Sequence, residues 1–242
     1  MSKMMRIDKL ISNMGYGSRK EVKSLIKQGE VSVNDILIDN SSVKISPISD
    51  IVKIAGEIVE YKEHIYIMMN KPKGYISATE DNMHKTVLDI LDEKYLIYRP
   101  YPAGRLDIDT TGLLIITNDG DLTHNIISPK KEIVKRYEAY IQGRVGESEI
   151  EAFKNGIYLD KEDYHTLPAK LEIIQRGEIS KVIVSIKEGK YHQVKRMFES
   201  VGMRVIDLKR LSIGWLDLDE DLAEGDYREL EESEINKLIQ IK

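Results

Sequence analysis

The chain has 242 residues, 41% of them hydrophobic and 32% charged, with a net charge of −5 and no cysteine. That length buries one substantial core and leaves room for a second, smaller domain. The lack of cysteine excludes disulfides, thiolate nucleophiles and Cys-type zinc sites, and the five histidines show no metal-ligand spacing, so no metal is expected. In chain order, Ile7, Leu10, Ile11 and Met14 form the apolar stripe of a short helix that Gly15 and Gly17 end. Ser18 and Glu21 make a capping box for a second helix with Val22, Leu25 and Ile26 buried, and Lys20, Lys23 and Lys27 on another face. Val31, Val33, Ile36 and Ile38 around Asn34-Asp35 read as strand, turn and strand, and short strands follow through Val43, Ile45, Ile51, Val52 and Ile54.

The charged stretch Glu60 to Glu63 then precedes a buried-strand pattern, Ile65 to Met69, which places a domain boundary near Lys62: residues 1–62 and 63–242. The larger part mixes strands at Leu113–Thr117, Tyr137–Ile141 and Val182–Ile186 with helices near 86–92, 148–155, 193–201 and 233–240. Without regular strand-helix alternation, the expected class is α+β on a largely antiparallel sheet.

Charge is unevenly spread. Residues 1–34 hold seven Lys/Arg against three acids, residues 187–210 again seven against three, and residues 217–242 ten acids against three bases. Two basic surfaces therefore stand inside an acidic average, which keeps a polyanion partner open. No apolar run approaches the roughly 20 residues of a membrane span and no signal peptide is read, so a cytoplasmic protein is expected.

Gly104-Arg105-Leu106-Asp107-Ile108-Asp109-Thr110-Thr111-Gly112 is a polar, glycine-punctuated loop running into a strand, a suitable mount for a carboxylate. By its residues alone, Asp107 is a catalytic group, a turn former or a salt-bridge partner of Arg105. Glu188 to Phe198 reads as a turn and then a helix with Val194, Met197 and Phe198 buried. Lys195 and Arg196 fall in its first turn, where the helix dipole disfavours cations unless an anion such as phosphate or Asp107 compensates them.

These segments, with Arg6-Ile7-Asp8-Lys9, Ser18-Arg19 through Asn34, Asn70-Lys71-Pro72-Lys73-Gly74, Asn118-Asp119-Gly120, Lys135-Arg136-Tyr137 and His192-Gln193-Val194-Lys195-Arg196-Met197, resemble the bacterial ribosomal small-subunit pseudouridine synthase (RsuA) family in order and spacing. The resemblance implies an N-terminal S4-like helix-helix-strand RNA-binding domain and a synthase domain that isomerises one uridine of ribosomal RNA, in 16S rRNA, as a monomer without cofactor. It implies Asp107 as the essential carboxylate, Tyr137 as the active-site tyrosine and Lys195 as the cation paired with Asp107. It also implies an aliphatic side chain against the base, from Val184 or Ile186.

The chemistry suits these types. Breaking N1–C1′ and rebonding through C5 needs an ionised carboxylate that attacks carbon or stabilises positive charge there. A neighbouring cation favours that ionised form against burial. A stacked base must first be flipped out, at a cost of a few kcal/mol. RNA contacts offset it: Arg6, Lys9, Arg19, Lys20, Lys23 and Lys27 on the N-terminal module, Arg105 on the flipped nucleotide's phosphate, and Arg196. His192 and Gln193 are expected to position other groups, and His84, His124 and His165 receive no role. Three other readings stay open: a synthase acting on 23S rRNA, a non-catalytic S4-type RNA-binding protein, and a hydrolase using Asp107 with Asp109. Alternation along a strand would turn that pair to opposite faces.

Overall fold

A computed structural model describes residues 4–160 and 163–239. Two compact units emerge, one of residues up to Ile65 together with Leu91–Arg99, the other of Tyr66–Ile90 with Pro100 onward. Residues 91–99, on the far side of the division expected at Lys62, thus cluster with the N-terminal unit.

The first unit contains β1 (Met5–Arg6), α1 (Ile7–Asn13), α2 (Arg19–Lys27), β2 (Val31–Val33), β3 (Ile36–Leu37), β4 (Lys44–Ile45), β5 (Val52–Ile54) and β6 (Glu57–Ile58). Its local signals act as expected. Ser18 Oγ accepts from Glu21 N, and Glu21 Oε2 accepts from Ser18 N at 2.7 Å, closing the capping box. Asn34 and Asp35 both take positive φ, the requirement of a type I′ hairpin turn. Ile7, Leu10, Ile11, Val22, Ile26, Val31 and Ile45 make the core, and β1 pairs with β4 while β3-β2-β5-β6 form a separate sheet.

The second unit comprises β7 (Tyr66–Lys71), β8 (Tyr101–Pro102), β9 (Thr111–Thr117), α4 (Gly120–Ile127), β10 (Lys135–Gln142), α5 (Glu147–Asn155), β11 (Tyr158–Leu159), β12 (Tyr164–His165), β13 (Lys170–Gln175), β14 (Ile179–Ile186), α6 (Gln193–Ser200), β15 (Arg204–Ile213), β16 (Leu216–Asp217), β17 (Tyr227–Glu229) and α7 (Glu232–Ile239). The short helix α3 (Glu93–Leu96) belongs to the first unit. The main sheet runs β13-β14-β10-β15-β9-β7-β17 and is antiparallel except between β9 and β15. The class is α+β, as expected. Tyr66, Met68, Leu113 and Ile115 pack beneath Leu122 and Ile126 of α4 and Leu238 of α7, while Phe153 of α5 meets Phe198 of α6 with ring centroids 4.7 Å apart.

Several features differ from the sequence reading. The helix expected near 86–92 is a single 3₁₀ turn, Val87–Ile90, because Asp89 accepts from Thr86 N at 2.7 Å and the chain is extended again at Asp92. Among the longer elements, α4, β13 and β15 were not expected at all. Among the described residues no helix is long and apolar enough to cross a membrane.

Two irregularities shape the sheet where it meets the cavity described below. At the parallel junction Gly112 pairs with Arg210, and a Cβ on Gly112 would lie 2.2 Å from the Arg210 carbonyl oxygen, so only glycine permits this approach. Between β10 and β15 the register slips: Arg136 faces Ser212 and Tyr137 faces Arg210, leaving Leu211 extra. Such a bulge breaks the strict alternation of faces.

Candidate active site

A cavity of about 910 Å³ opens beside the parallel junction, large enough for a whole nucleotide. Asp107, Arg105 and Thr110 line it from the loop before β9, Tyr137 and Lys135 from β10, Ile186 from β14, Leu208 and Arg210 from β15, and Tyr191 to Val194 from the start of α6. The bulge lets Leu208, Arg210 and Ile213 all contribute, although strict alternation would turn Ile213 away.

The loop carrying Asp107 is held from several sides. Ser77 Oγ accepts from Leu106 N at 3.0 Å and donates to Leu106 O at 3.1 Å. Gly74 N donates to Ile108 O at 2.8 Å, and the Lys71 ammonium donates to Thr110 O at 2.9 Å and Pro72 O at 3.0 Å. Thr110 N closes a turn on Asp107 O. Asn70-Lys71-Pro72-Lys73-Gly74 therefore forms the bed of the carboxylate loop. Lys71 is fully buried, and burial pulls its pKa down to about 8 despite the opposing influence of Asp109 and Asp107.

Lys195 stands on the first turn of α6 and reaches two carboxylates, Asp107 Oδ2 at 3.0 Å and Asp109 Oδ1 at 2.6 Å. These anions compensate a cation placed against the helix dipole. Burial works against the Lys195 charge, but its bonds to Asp109 and Asp107 prevail and raise its pKa above the ordinary lysine value. The Asp109 carboxyl lies below its usual range because Lys195 outweighs burial. The expectation that Asp107 and Asp109 diverge fails, since the segment is a turn and both side chains converge on one ammonium. His192 Nε2 lies 3.4 Å from Asp107 Oδ1, and the residue holds φ +48° immediately before α6. Gln193 fixes that bend: its Oε1 accepts from Lys190 N at 2.9 Å and its Nε2 donates to buried Glu188 at 2.6 Å. Glu188 also accepts from Leu167 N and the Tyr164 hydroxyl.

Tyr137 is buried beside the cavity. Ile186 lines it; Val184, opposite Tyr137 in the sheet, does not. Arg105 is exposed at its edge. Arg196, half-buried, donates to the Tyr191 carbonyl at 2.8 Å, so it holds the loop before α6. In the first unit Lys9, Arg19, Lys20, Lys23 and Lys27 are exposed, whereas Arg6 grips buried Asp8 through two bonds of 3.0 and 2.7 Å. Asn118-Asp119-Gly120 starts α4, where Asp119 accepts from Leu122 N and from the Tyr66 hydroxyl. Sequence reasoning gave no role to Lys71, Lys135, Lys190, His84 or Arg210, which line the cavity or lie beneath it. The first two lay inside quoted motifs, but nothing local marked Arg210. Among the described residues no cluster fit for a metal ion occurs.

The family model for RNA pseudouridylate synthase matches residues 65–200, and that for the S4 domain matches residues 5–52. The chain is 46% identical to the uncharacterized RNA pseudouridine synthase YtzG of Bacillus subtilis, over 97% of this chain and 98% of that one. It is 40% identical to ribosomal small subunit pseudouridine synthase A of Escherichia coli K12, over 97% and 100%. A crystal structure of a pseudouridylate synthase superposes with a TM-score of 0.68 at 39% identity, covering 97% of this chain and 99% of the other. A synthase match over more than half of the chain, relatives aligned along nearly their whole length and a carboxylate held by a lysine in a nucleotide-sized cavity agree: the chain belongs to the RNA pseudouridylate synthase family of isomerases, with an S4 domain ahead of its synthase domain.

Proposed function

We propose that this chain converts one uridine of small-subunit (16S) ribosomal RNA to pseudouridine, with Asp107 acting at C1′, Lys195 pairing with that carboxylate and holding it in place, and Tyr137 against the flipped base. The observation that carries this reading is the Lys195–Asp107 contact of 3.0 Å at a cavity that Tyr137 also lines. Small-subunit RNA as target rests on the relatives' names. Asp107 attacks C1′ or stabilises positive charge there as N1 departs. Ile186, which lines the cavity where Val184 does not, supplies the aliphatic contact to the base.

Residues 1–62 act as the RNA-binding module through Lys9, Arg19, Lys20, Lys23 and Lys27, with Arg6 anchoring Asp8 beneath them. Arg105 meets phosphate at the cavity edge, and Arg196 serves RNA through the loop that it holds. The enzyme works as a cytoplasmic monomer without cofactor.

Tritium release from RNA labelled at uridine C5 tests the reaction, since a glycosidic carbon replaces that hydrogen. Mapping pseudouridines in cells lacking the protein tests the target. Loss of a single 16S site is expected; loss of a 23S site reassigns the substrate, and no tritium release from any ribosomal RNA or assembly intermediate removes the catalytic reading.

A further inference from the structure

Asp107 answers for only one side of the bond that breaks. When N1–C1′ parts, its electron pair leaves with the base, and the uracil anion spreads that charge over N1, O2 and O4. Lys195 is occupied by two carboxylates and Lys71 by backbone carbonyls, so neither is disposed to meet it. Four Lys/Arg side chains line the cavity: Arg105 and Lys190 are exposed at its edge, Lys190 over the Tyr164 ring, whereas Lys135 and Arg210 are set into its wall. Arg210 is 3% exposed, its Nε donates to Leu113 O at 2.7 Å, and its buried Nη2 donates to nothing among the described residues. No carboxylate among the described residues forms an ion pair with it. A guanidinium cannot relieve such burial by losing its proton, so an unpaired donor in a cavity wall is costly unless a ligand meets it. Lys135 has one long hydrogen bond, 3.3 Å to Ile133 O, and its pKa is lowered first by burial and then by the neighbouring Arg210 charge, with Glu188 opposing. Thr110 Oγ1, also at the cavity, is a second buried polar atom without a partner.

We propose that Arg210 and Lys135 bind the carbonyl oxygens of the flipped uracil and stabilise the base anion as N1–C1′ breaks. This rests on the reading that Asp107 acts at C1′. The pair of electrons from N1–C1′ stays on uracil, which the two cations hold while it turns. C5 then bonds to C1′, the C5 proton passes to solvent, and N1 takes up a proton, so no atom is gained or lost. The same donors select uridine, because cytidine presents an amino group where uridine presents O4.

The test compares single-turnover consumption of uridine and of 5-fluorouridine at the target position, read by chromatography of digested RNA at saturating concentration. Fluorine makes the departing base a weaker base, so its anion needs less help. Arg210→Gln and Lys135→Met are expected to slow uridine consumption by about 100-fold and 5-fluorouridine consumption at least about 10-fold less severely. Equal losses on both substrates, or rates like the parent enzyme's, overturn the proposal. Thermal melts check folding, and should Arg210→Gln fail to fold for want of its bond to Leu113, Lys135→Met alone decides. Asp107→Asn separates the two ideas. If it consumes neither nucleoside while Lys135→Met loses equally on both, only this inference falls; if Asp107→Asn stays active, the underlying site reading falls.

Discussion

Asp107→Asn is nearly isosteric but cannot be an anion, so it should abolish turnover while leaving RNA affinity and folding close to the parent's; a rate within about tenfold, or about 1.4 kcal/mol of barrier, would remove Asp107 from the chemistry. Asp109→Asn should be milder but measurable, because Asp109 shares Lys195 at 2.6 Å. Lys195→Met should slow single turnover by about 100-fold or more, as both carboxylates lose their cation. Arg196→Met should cost less at saturating RNA, since that side chain holds the Tyr191 carbonyl and not Asp107; the reverse ranking of these two variants would exchange their roles. Lys71 gives a pH signature. Its folded pKa of about 8 lies below the unfolded value of 10.5, so between those values the unfolded chain binds the extra proton and stability rises with pH. Urea melts from pH 8 to 10 should show the parent gaining on Lys71→Met by roughly 1 kcal/mol per pH unit. A flat difference would mean that Lys71 is not desolvated as its burial indicates.

At the scale of elements, the parallel junction and the start of α6 decide where the site forms. Gly112→Ala should destabilise by about 3 kcal/mol or more in urea unfolding and also lower activity, because the added methyl meets Arg210 backbone at 2.2 Å and glycine's φ of +100° is lost. A fully stable Gly112→Ala would show that β9 can part from β15 at little cost. The legible elements were those whose signals are local: the Ser18–Glu21 box, the Asn34-Asp35 turn, and α6 with its Val194, Met197 and Phe198 stripe. α4 escaped notice because Gly-Asp-Leu-Thr-His-Asn-Ile-Ile is a poor helix former, held by the Asp119 cap and by burial of Leu122 and Ile126. β15 escaped because its Asp207, Lys209 and Arg210 dilute the apolar alternation of a strand, and its place depends on partners distant in sequence.

For the whole molecule, the uneven charge is the measurable quantity. Lys20, Lys23 and Lys27 are exposed, and none forms an ion pair among the described residues; replacing all three by Gln should flatten the salt dependence of RNA affinity by about two logarithmic units per decade of salt. An unchanged slope would turn this helix face away from RNA. The sequence by itself determined the class of the fold, the capping box and the hairpin turn, because those readings rest on periodicity, caps and turn residues; the pairing of Lys195 with Asp107 was implied by short motifs in the order of the family that the chain resembles, and the structure puts the two 3.0 Å apart. Only the tertiary structure decided that Asp109 also meets Lys195, that Lys71 is buried under the carboxylate loop, and that residues 91–99 join the N-terminal unit. It alone brought Arg210, about a hundred residues from Asp107 along the chain, to the same cavity. The reason is physical: a lysine or arginine looks solvated in any local window, and what makes it a working cation is which distant strands bury it and which anions they leave out.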